Sequence, residues 1–261
     1  MGKLDGRIAL VTGGGRGIGR AIALGLAKEG CGVAVSSRTA EELERVAQEV
    51  TSLGGKGFPV TADAMSYDAV KASVETVLGH FGQIDILINN AGGVIPGPTP
   101  FSLLSASHDD QAFIDNLLLN LVSAQRASRE VLGHMLERGH GRIINIGSGY
   151  AKRSGGAAAY SAAKHGLIGL TRATAAEVAT RGVTVNCLCP GWTNTQLVDW
   201  NVLGMQWGTD AEGARARASA ENLQNRVLEP EELAPMAVLL ASDEAAGITG
   251  QVISVDGGYG V

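Results

Sequence analysis

Thr12-Gly13-Gly14-Gly15-Arg16-Gly17-Ile18-Gly19 stands between a short apolar run, Arg7–Thr12, and a helical pattern, Arg20–Glu29. Glycines there let the backbone turn sharply and approach a pyrophosphate, and the N-terminus of the following helix favours its negative charge. The spacing is Gly-x-x-x-Gly-x-Gly rather than the commoner Gly-x-Gly-x-x-Gly. Outward from this turn the same rhythm repeats. Apolar, β-branched runs recur at Gly32–Ser36, Gly57–Thr61, Ile84–Asn89, Gly141–Gly147, Val183–Leu188 and Gln251–Val255. Helical patterns fill the gaps at Ala40–Leu53, Tyr67–Phe81, Gln111–Gly139, Ala158–Thr180 and Pro230–Leu240. Continuous apolar strands separated by helices predict a parallel sheet covered on both faces. The chain therefore reads as one α/β domain over 1–261, without a linker or a repeat of fixed period.

Two segments break the rhythm. Gly92–Pro100, rich in Gly and Pro, follows the fourth strand, at the sheet edge where open α/β folds bind ligands. Trp192–Arg226 is predicted to be a long irregular insertion after the sixth strand, and it holds all three tryptophans of the chain. It reads as a lid over a site, with a plain surface excursion as the alternative.

Composition narrows the function classes. The chain is 45% hydrophobic with 37 glycines, which suits helices packed closely on a buried sheet. A formal net charge of −5 with no long basic run argues against nucleic-acid binding. Cys31, Cys187 and Cys189 form no disulfide framework, so a reducing, cytoplasmic setting is expected. Cys187 and Cys189 flank Leu188 in a strand-like run and read as a buried pair, and no His/Cys cluster offers a metal site. Ile8–Val11 is too short for a signal peptide, Gly6 spoils a myristoylation pattern, and no apolar run reaches membrane-spanning length.

The end of the second strand, Ser36-Ser37-Arg38-Thr39, carries no acid to hold the ribose hydroxyls of NAD. Arg38 suits a 2′-phosphate and Arg16 is placed to reach the same group, so NADP(H) is favoured over NAD(H). The alternative is that Arg38 is a solvated strand end. Further along, Tyr160-Ser161-Ala162-Ala163-Lys164 puts a phenol and an ammonium at i and i+4 on one helix face. An ammonium beside a phenol lowers the phenol pKa, so the pair reads as a general acid/base.

Taken in order, Thr12–Gly19, Asn89-Asn90-Ala91-Gly92, Asn120 in Leu-Leu-Asn-Leu, Ser148 after Ile-Asn-Ile-Gly, Tyr160-x-x-x-Lys164 and Pro190-Gly191 resemble the short-chain dehydrogenase/reductase family over essentially the whole chain. The look is closest to its 3-oxoacyl-acyl-carrier-protein reductase-like branch. The resemblance implies a doubly wound Rossmann fold with a seven-stranded parallel sheet, and hydride transfer between a nicotinamide and a carbonyl or secondary alcohol. It divides the chain into a mainly cofactor-binding part, 1–110, and a part, 111–261, with the catalytic residues, a lid at about 192–226 and oligomer interfaces.

It also implies roles. Tyr160 would exchange the proton with the substrate oxygen, Ser148 would hydrogen-bond that oxygen, and Trp192 would line the substrate pocket. Lys164 would lower the Tyr160 pKa and bind the nicotinamide ribose, and Asn120 would help hold a water in a relay. Gly13, Arg16, Gly17, Ile18, Gly19, Ser37, Arg38, Asp63, Ala64, Asn90, Ala91, Gly92, Pro190, Gly191 and Thr193 would line the cofactor. Structural alternatives stand beside these roles: turn chemistry for Ser148, an amphipathic helix position for Asn120, and a helix cap for Asp63.

Two departures from the family pattern are present. The loop from Ser148 to Tyr160 is about one residue short, and Phe101–Asp110 is slightly long. A homotetramer is the family expectation, with Ala157–Ala159, Ala162, Ala163, Gly166 and Gly169 allowing close helix approach. The exact substrate stays open between 3-oxoacyl thioesters and simple ketones, cyclic or secondary alcohols, 3-hydroxy acids or sugars. Lys152 and Arg153 either attract an anionic substrate or are solvated. A catalytically silent nucleotide-binding protein and a nucleotide-sugar epimerase are the readings of other classes. The first would have lost Tyr160, Lys164 or Ser148, and the second needs more chain after Pro190.

Overall fold

The computed structural model describes residues 2–95, 109–153 and 155–260, so expectations that concern 96–108 and Ser154 lie outside the described residues. Seven parallel strands form one sheet: β1 Ile8–Thr12, β2 Gly32–Ser37, β3 Gly57–Thr61, β4 Ile86–Asn89, β5 Gly141–Ile146, β6 Val183–Pro190 and β7 Val252–Val255. Their spatial order is β3-β2-β1-β4-β5-β6-β7.

Strand alternation assigns the two faces. Ala9 and Val11 of β1 join Val33, Val35, Ile86, Ile88 and Ile144 on one face. Helices α1 (Gly17–Lys28), α2 (Ala40–Ser52) and α9 (Ala234–Ala241) cover that face with Ile22, Leu26, Val46 and Leu240. Ile8 and Leu10 join Leu87, Ile143, Val183 and Val185 on the other face. There α3 (Tyr67–Phe81), α5 (Ser123–Arg138) and α6 (Ala158–Val178) supply Val74, Val131, Met135 and Val178. This is the expected doubly wound Rossmann arrangement. The strand order reverses between β1 and β4, so the loops after those two strands part and leave a crevice at their C-terminal ends.

Two elements differ from the sequence expectation. The helical pattern at Gln111–Gly139 is not one regular helix. It runs as α4 (Asp110–Leu117), a wide π turn at Leu118–Val122, and α5. The segment Trp192–Arg226 is not irregular. It contains α7 (Trp200–Trp207) and α8 (Ala211–Ala220), and Asp199 and Asp210 cap them by accepting from the N–H groups of Asn201, Val202 and Gly213. An acidic cap at each start offsets the otherwise unpaired first-turn donors.

Candidate active site

The Gly-rich turn, the end of β2 and the loop after β4 enclose a cavity of about 390 Å³. Gly13 and Gly17 adopt positive φ, +63° and +53°, which lets the turn fold over the crevice. A Cβ at Gly19 would lie 2.3 Å from the Gly13 carbonyl, so only glycine lets α1 pack under the turn. Asn90 holds the turn from the β4 side, donating through Nδ2 to the carbonyls of Thr12 (3.1 Å) and Gly13 (3.0 Å). Thr12 Oγ1 in return accepts from the N–H groups of Asn90 and Ala91. α1 starts at Gly17 with no side-chain cap, so its N-terminal N–H groups are left for an anion.

Gly13, Arg16, Gly17, Ile18, Ser37, Arg38, Asp63, Ala64, Asn90, Ala91 and Gly92 all line this cavity. Asp63 does not cap α3, because Ser66 does so by accepting from Ala69 N–H. Pro190, Gly191 and Thr193 are not among the residues that line this cavity. Thr193 is buried and turns its hydroxyl back onto the Gly191 carbonyl at 3.0 Å. Gly191 packs against Asp256, where a Cβ would stand 2.8 Å from the backbone oxygen. The residues that this segment presents to the cavity are Thr195, Gln196 and Leu197.

Across Gly92 from the cavity lies the polar cluster. A Cβ on Gly92 would meet Asn120 Oδ1 at 2.8 Å and Lys164 Nζ at 3.3 Å, so the glycine lets both groups approach the cavity wall. Ser148 follows β5 and accepts from Tyr150 N–H at 3.2 Å, opening a short 3₁₀ turn at Gly149–Ala151. The Ser148 hydroxyl also reaches the Tyr160 phenol. The loop that is one residue short thus still brings the two hydroxyls together.

Lys164 is buried on the next turn of α6. Its Nζ donates to the Ile146 carbonyl at 2.8 Å and lies 5.7 Å from the Tyr160 ring centroid. Burial brings the Lys164 pKa down to about 8. Burial also raises that of Tyr160, with the Ser148 hydroxyl acting in the opposite direction. The expected depression of the phenol by its lysine is therefore absent from this arrangement. Desolvation of both groups outweighs a cation that points at a carbonyl rather than at the phenol oxygen.

Asn120 sits in the π turn and is buried. Its Oδ1 accepts from Gly93 N–H at 3.0 Å, and its Nδ2 donates to the carbonyls of Gly93 (2.7 Å) and Asn116 (3.0 Å). Asn116, one turn earlier, treats Ile95 in the same way, accepting at 3.1 Å and donating at 2.8 Å. Two asparagines thus read the backbone of alternate residues and hold the loop after β4 extended along the cavity. The Asn120 side-chain amide is thus committed to backbone partners.

The insertion after β6 closes on the cluster with aromatic rings. Trp192 contacts Trp200 and Trp207 at centroid distances of 6.0 and 5.8 Å, and Tyr150 at 6.2 Å. Tyr150 in turn meets Tyr259 at 6.0 Å. Trp192 Nε1 donates to Glu221 at 2.9 Å. Edge-to-face pairs add about 0.5–1.5 kcal/mol each beyond area burial, so the chain of rings ties α7 to the loop that carries Ser148. Lys152 donates to Ser254, and Arg153 lies over the Tyr259 ring at 3.8 Å and 3.8 Å from Glu221. Lys152 is thus held by β7, and Arg153 by Tyr259 and by Glu221 just past the end of α8.

Comparison with known proteins fits this geometry. The model of the family described as short chain dehydrogenase matches residues 7–202. The chain belongs to the short-chain dehydrogenase family. It is 37% identical to the short-chain reductase protein NovJ of Streptomyces niveus, over 96% of this chain and 93% of that one. It is 39% identical to the 3-oxoacyl-(acyl-carrier-protein) reductase FabG of Escherichia coli, over 98% of each. An actinorhodin polyketide ketoreductase variant solved with NADPH superimposes with a TM-score of 0.89 at 38% identity, over 96% of each chain.

As a short-chain dehydrogenase the chain is an oxidoreductase acting on CH–OH or ketone groups with NAD(P). The residues present fit such a dinucleotide on structural grounds: an uncapped helix start below the glycine turn, and arginines and a hydroxyl at one end of the cavity. Sequence reasoning missed Thr195, Gln196 and Leu197, and also Asn116, although its four-residue spacing from Asn120 was visible. It also missed Glu42, which comes from the first turn of α2 to line the cavity beside Arg16. Among the described residues no helix is long and apolar enough to cross a membrane, and no group of three or more His, Cys, Asp or Glu is placed to hold a metal ion.

Proposed function

We propose that the protein is an NADP(H)-dependent carbonyl reductase, with 3-oxoacyl thioesters as its leading substrate class. One observation carries the reading: Lys164 lies beside Gly92 on the wall of a cavity that also holds Ser37 and Arg38, and Tyr160, whose ring centroid is 5.7 Å from that ammonium, has the Ser148 hydroxyl as its neighbour. The nicotinamide nucleotide, when bound, supplies or takes up the hydride. Arg38 and Arg16 provide the charge for a 2′-phosphate, and Asp63 and Ala64 border the same end. Gly13, Gly17 and Ile18 give the diphosphate a close backbone and the start of α1.

Ser148 orients the substrate oxygen, and the protonated Tyr160 donates to it. In the reverse direction Tyr160 takes the alcohol proton. Lys164 brings a cation to the cavity wall at Gly92, where it would hold the nicotinamide ribose, and Asn120 keeps the loop after β4 in register for both groups. Trp192 and Tyr150 give the substrate side an aromatic wall. A cytoplasmic, homotetrameric enzyme is the accompanying expectation. Gly166 already packs against Leu121 within the chain, whereas Gly169 faces open space, so the small-residue stripe of α6 is only partly used internally.

The test is oxidation of NADPH and NADH across 3-oxoacyl thioesters, aryl, alkyl and cyclic ketones, and ketoses. Fast NADPH turnover on thioesters is expected. Turnover confined to small or cyclic ketones would make it a secondary-alcohol enzyme, and none with any carbonyl would overturn the reading. Arg38→Asp removes one of the cations and is expected to lower the preference for NADPH over NADH by about tenfold or more. An unchanged ratio of kcat/KM would mean that the 2′-phosphate is read elsewhere.

A further inference from the structure

The end of the cavity that carries the arginines also carries a carboxylate. Glu42 lies in the first turn of α2, yet its side chain turns back towards the glycine turn. Its Oε1 stands 3.8 Å from Arg16 Nη1. The position of a Cβ on Gly15 lies 3.0 Å from Glu42 Cβ, 3.2 Å from Glu42 Oε2 and 3.2 Å from Ser37 Oγ. The carboxylate and the Ser37 hydroxyl therefore converge over Gly15, and both line the cavity with Arg16, Arg38 and Thr39. Arg45 stays on the other side, with its Nη2 3.5 Å from the Gly15 carbonyl and its Nε 3.8 Å from Glu49. Glu49 is in turn taken by Arg20 at 2.5 Å. Arg45 is thus shared with Glu49, whereas Glu42 pairs with Arg16, a residue of the phosphate end itself.

We propose that Glu42 is a selectivity residue that holds the site between the two nicotinamide nucleotides. It ties Arg16 and places a negative charge where a 2′-phosphate must be accommodated, while offering an acceptor to the free ribose hydroxyls of the unphosphorylated nucleotide. This rests on the nucleotide reading above and deepens it. The β2 end alone predicts a site built for the phosphate. Glu42 supplies, from a helix, the acid that the strand end lacks. A half-exposed ion pair such as Arg16–Glu42 has little intrinsic strength, so rearranging it on binding is feasible. The charge of Glu42 acts directly on a doubly charged phosphate a few ångströms away.

A first-turn acid also steadies its own helix, so the test must separate that role. Binding of adenosine 2′,5′-bisphosphate and of 5′-AMP is measured by calorimetry for the wild type, Glu42→Gln and Glu42→Ala, with thermal unfolding of each as a folding control. Both variants are expected to bind the bisphosphate about three- to tenfold more tightly. Binding of 5′-AMP is expected to be unchanged or weaker. A helix effect alone would move both ligands together, and that outcome, or an unchanged ratio of the two affinities, overturns the proposal while leaving the nucleotide reading intact. Failure of the wild type to bind either ligand would overturn both. A rise in the bisphosphate-to-AMP ratio in the two variants supports Glu42 as the discriminating group.

Discussion

Replacing Tyr160 by phenylalanine is expected to lower kcat for carbonyl reduction by about 10²- to 10⁴-fold, the usual worth of a positioned general acid. The substitution removes one oxygen and keeps the ring, so the packing of α6 survives. The nucleotide affinity should stay within about threefold, because the cavity that fits the nucleotide is lined by other residues. Direction matters here. Burial raises the Tyr160 pKa, and the Ser148 hydroxyl only partly opposes it. The phenol therefore carries its proton at neutral pH, which is the state that reduction requires. Alcohol oxidation needs the deprotonated form, so its rate in the wild type should climb with pH while reduction does not. Pre-steady-state hydride transfer with NADPH and a ketone, and equilibrium binding of the nucleotide, check the two halves. A variant that keeps more than a tenth of the wild-type kcat would remove Tyr160 as the acid.

The sheet was open to sequence reading because its central strands β1, β4, β5 and β6 are buried almost throughout, and burial on both faces favours the mostly apolar runs they show whatever the loops do. The proposed catalytic cluster was open for a related reason: Tyr160 and Lys164 need only helical spacing to share a face. What spacing does not carry is direction and dielectric. Lys164 points at the Ile146 carbonyl, and the protein surrounding both groups decides their protonation.

The π turn at Leu118–Val122 was hidden because a periodicity of 3.6 tolerates one wide turn. It coincides with Asn120, which is fixed by backbone groups about 27 residues earlier in the chain. The helices α7 and α8 had visible caps in Asp199 and Asp210, but their apolar stripe is interrupted. Gly204 sits where α7 meets the next turn, and a Cβ there would lie 2.6 Å from the Asp210 carbonyl. Glu42 was missed because the search for an acid stopped at the strand end, whereas the fold brings one in from α2. Thr195, two residues after Thr193, lines the cavity, whereas the turn after β6 spends the Thr193 hydroxyl on the Gly191 carbonyl.

Lys164→Met is expected to separate stability from activity. In the wild type the ammonium is buried, and its pKa falls from the ordinary 10.5 to about 8. Between these values the unfolded chain holds a proton that the folded chain has released. Stability must then rise with pH across that window, by about 3 kcal/mol from this group in the nucleotide-free protein. Below pH 8 the folded protein carries the full penalty of the buried charge. Methionine keeps the volume and removes the charge. It leaves the Ile146 carbonyl without its donor, which costs about 1–3 kcal/mol. The net change at pH 7 is therefore small or stabilising, and the rise between pH 8 and 10.5 disappears. Catalysis moves the other way, with kcat lower by on the order of 10²- to 10³-fold, since a fixed cation beside the reacting groups is lost. Urea unfolding of both proteins at several pH values reads the first effect, and turnover at pH 7 reads the second. If the stabilities of wild type and variant run parallel from pH 7 to 10, Lys164 does not release its proton on folding. Such a result would place its ammonium in contact with solvent and its charge at full strength throughout the working range.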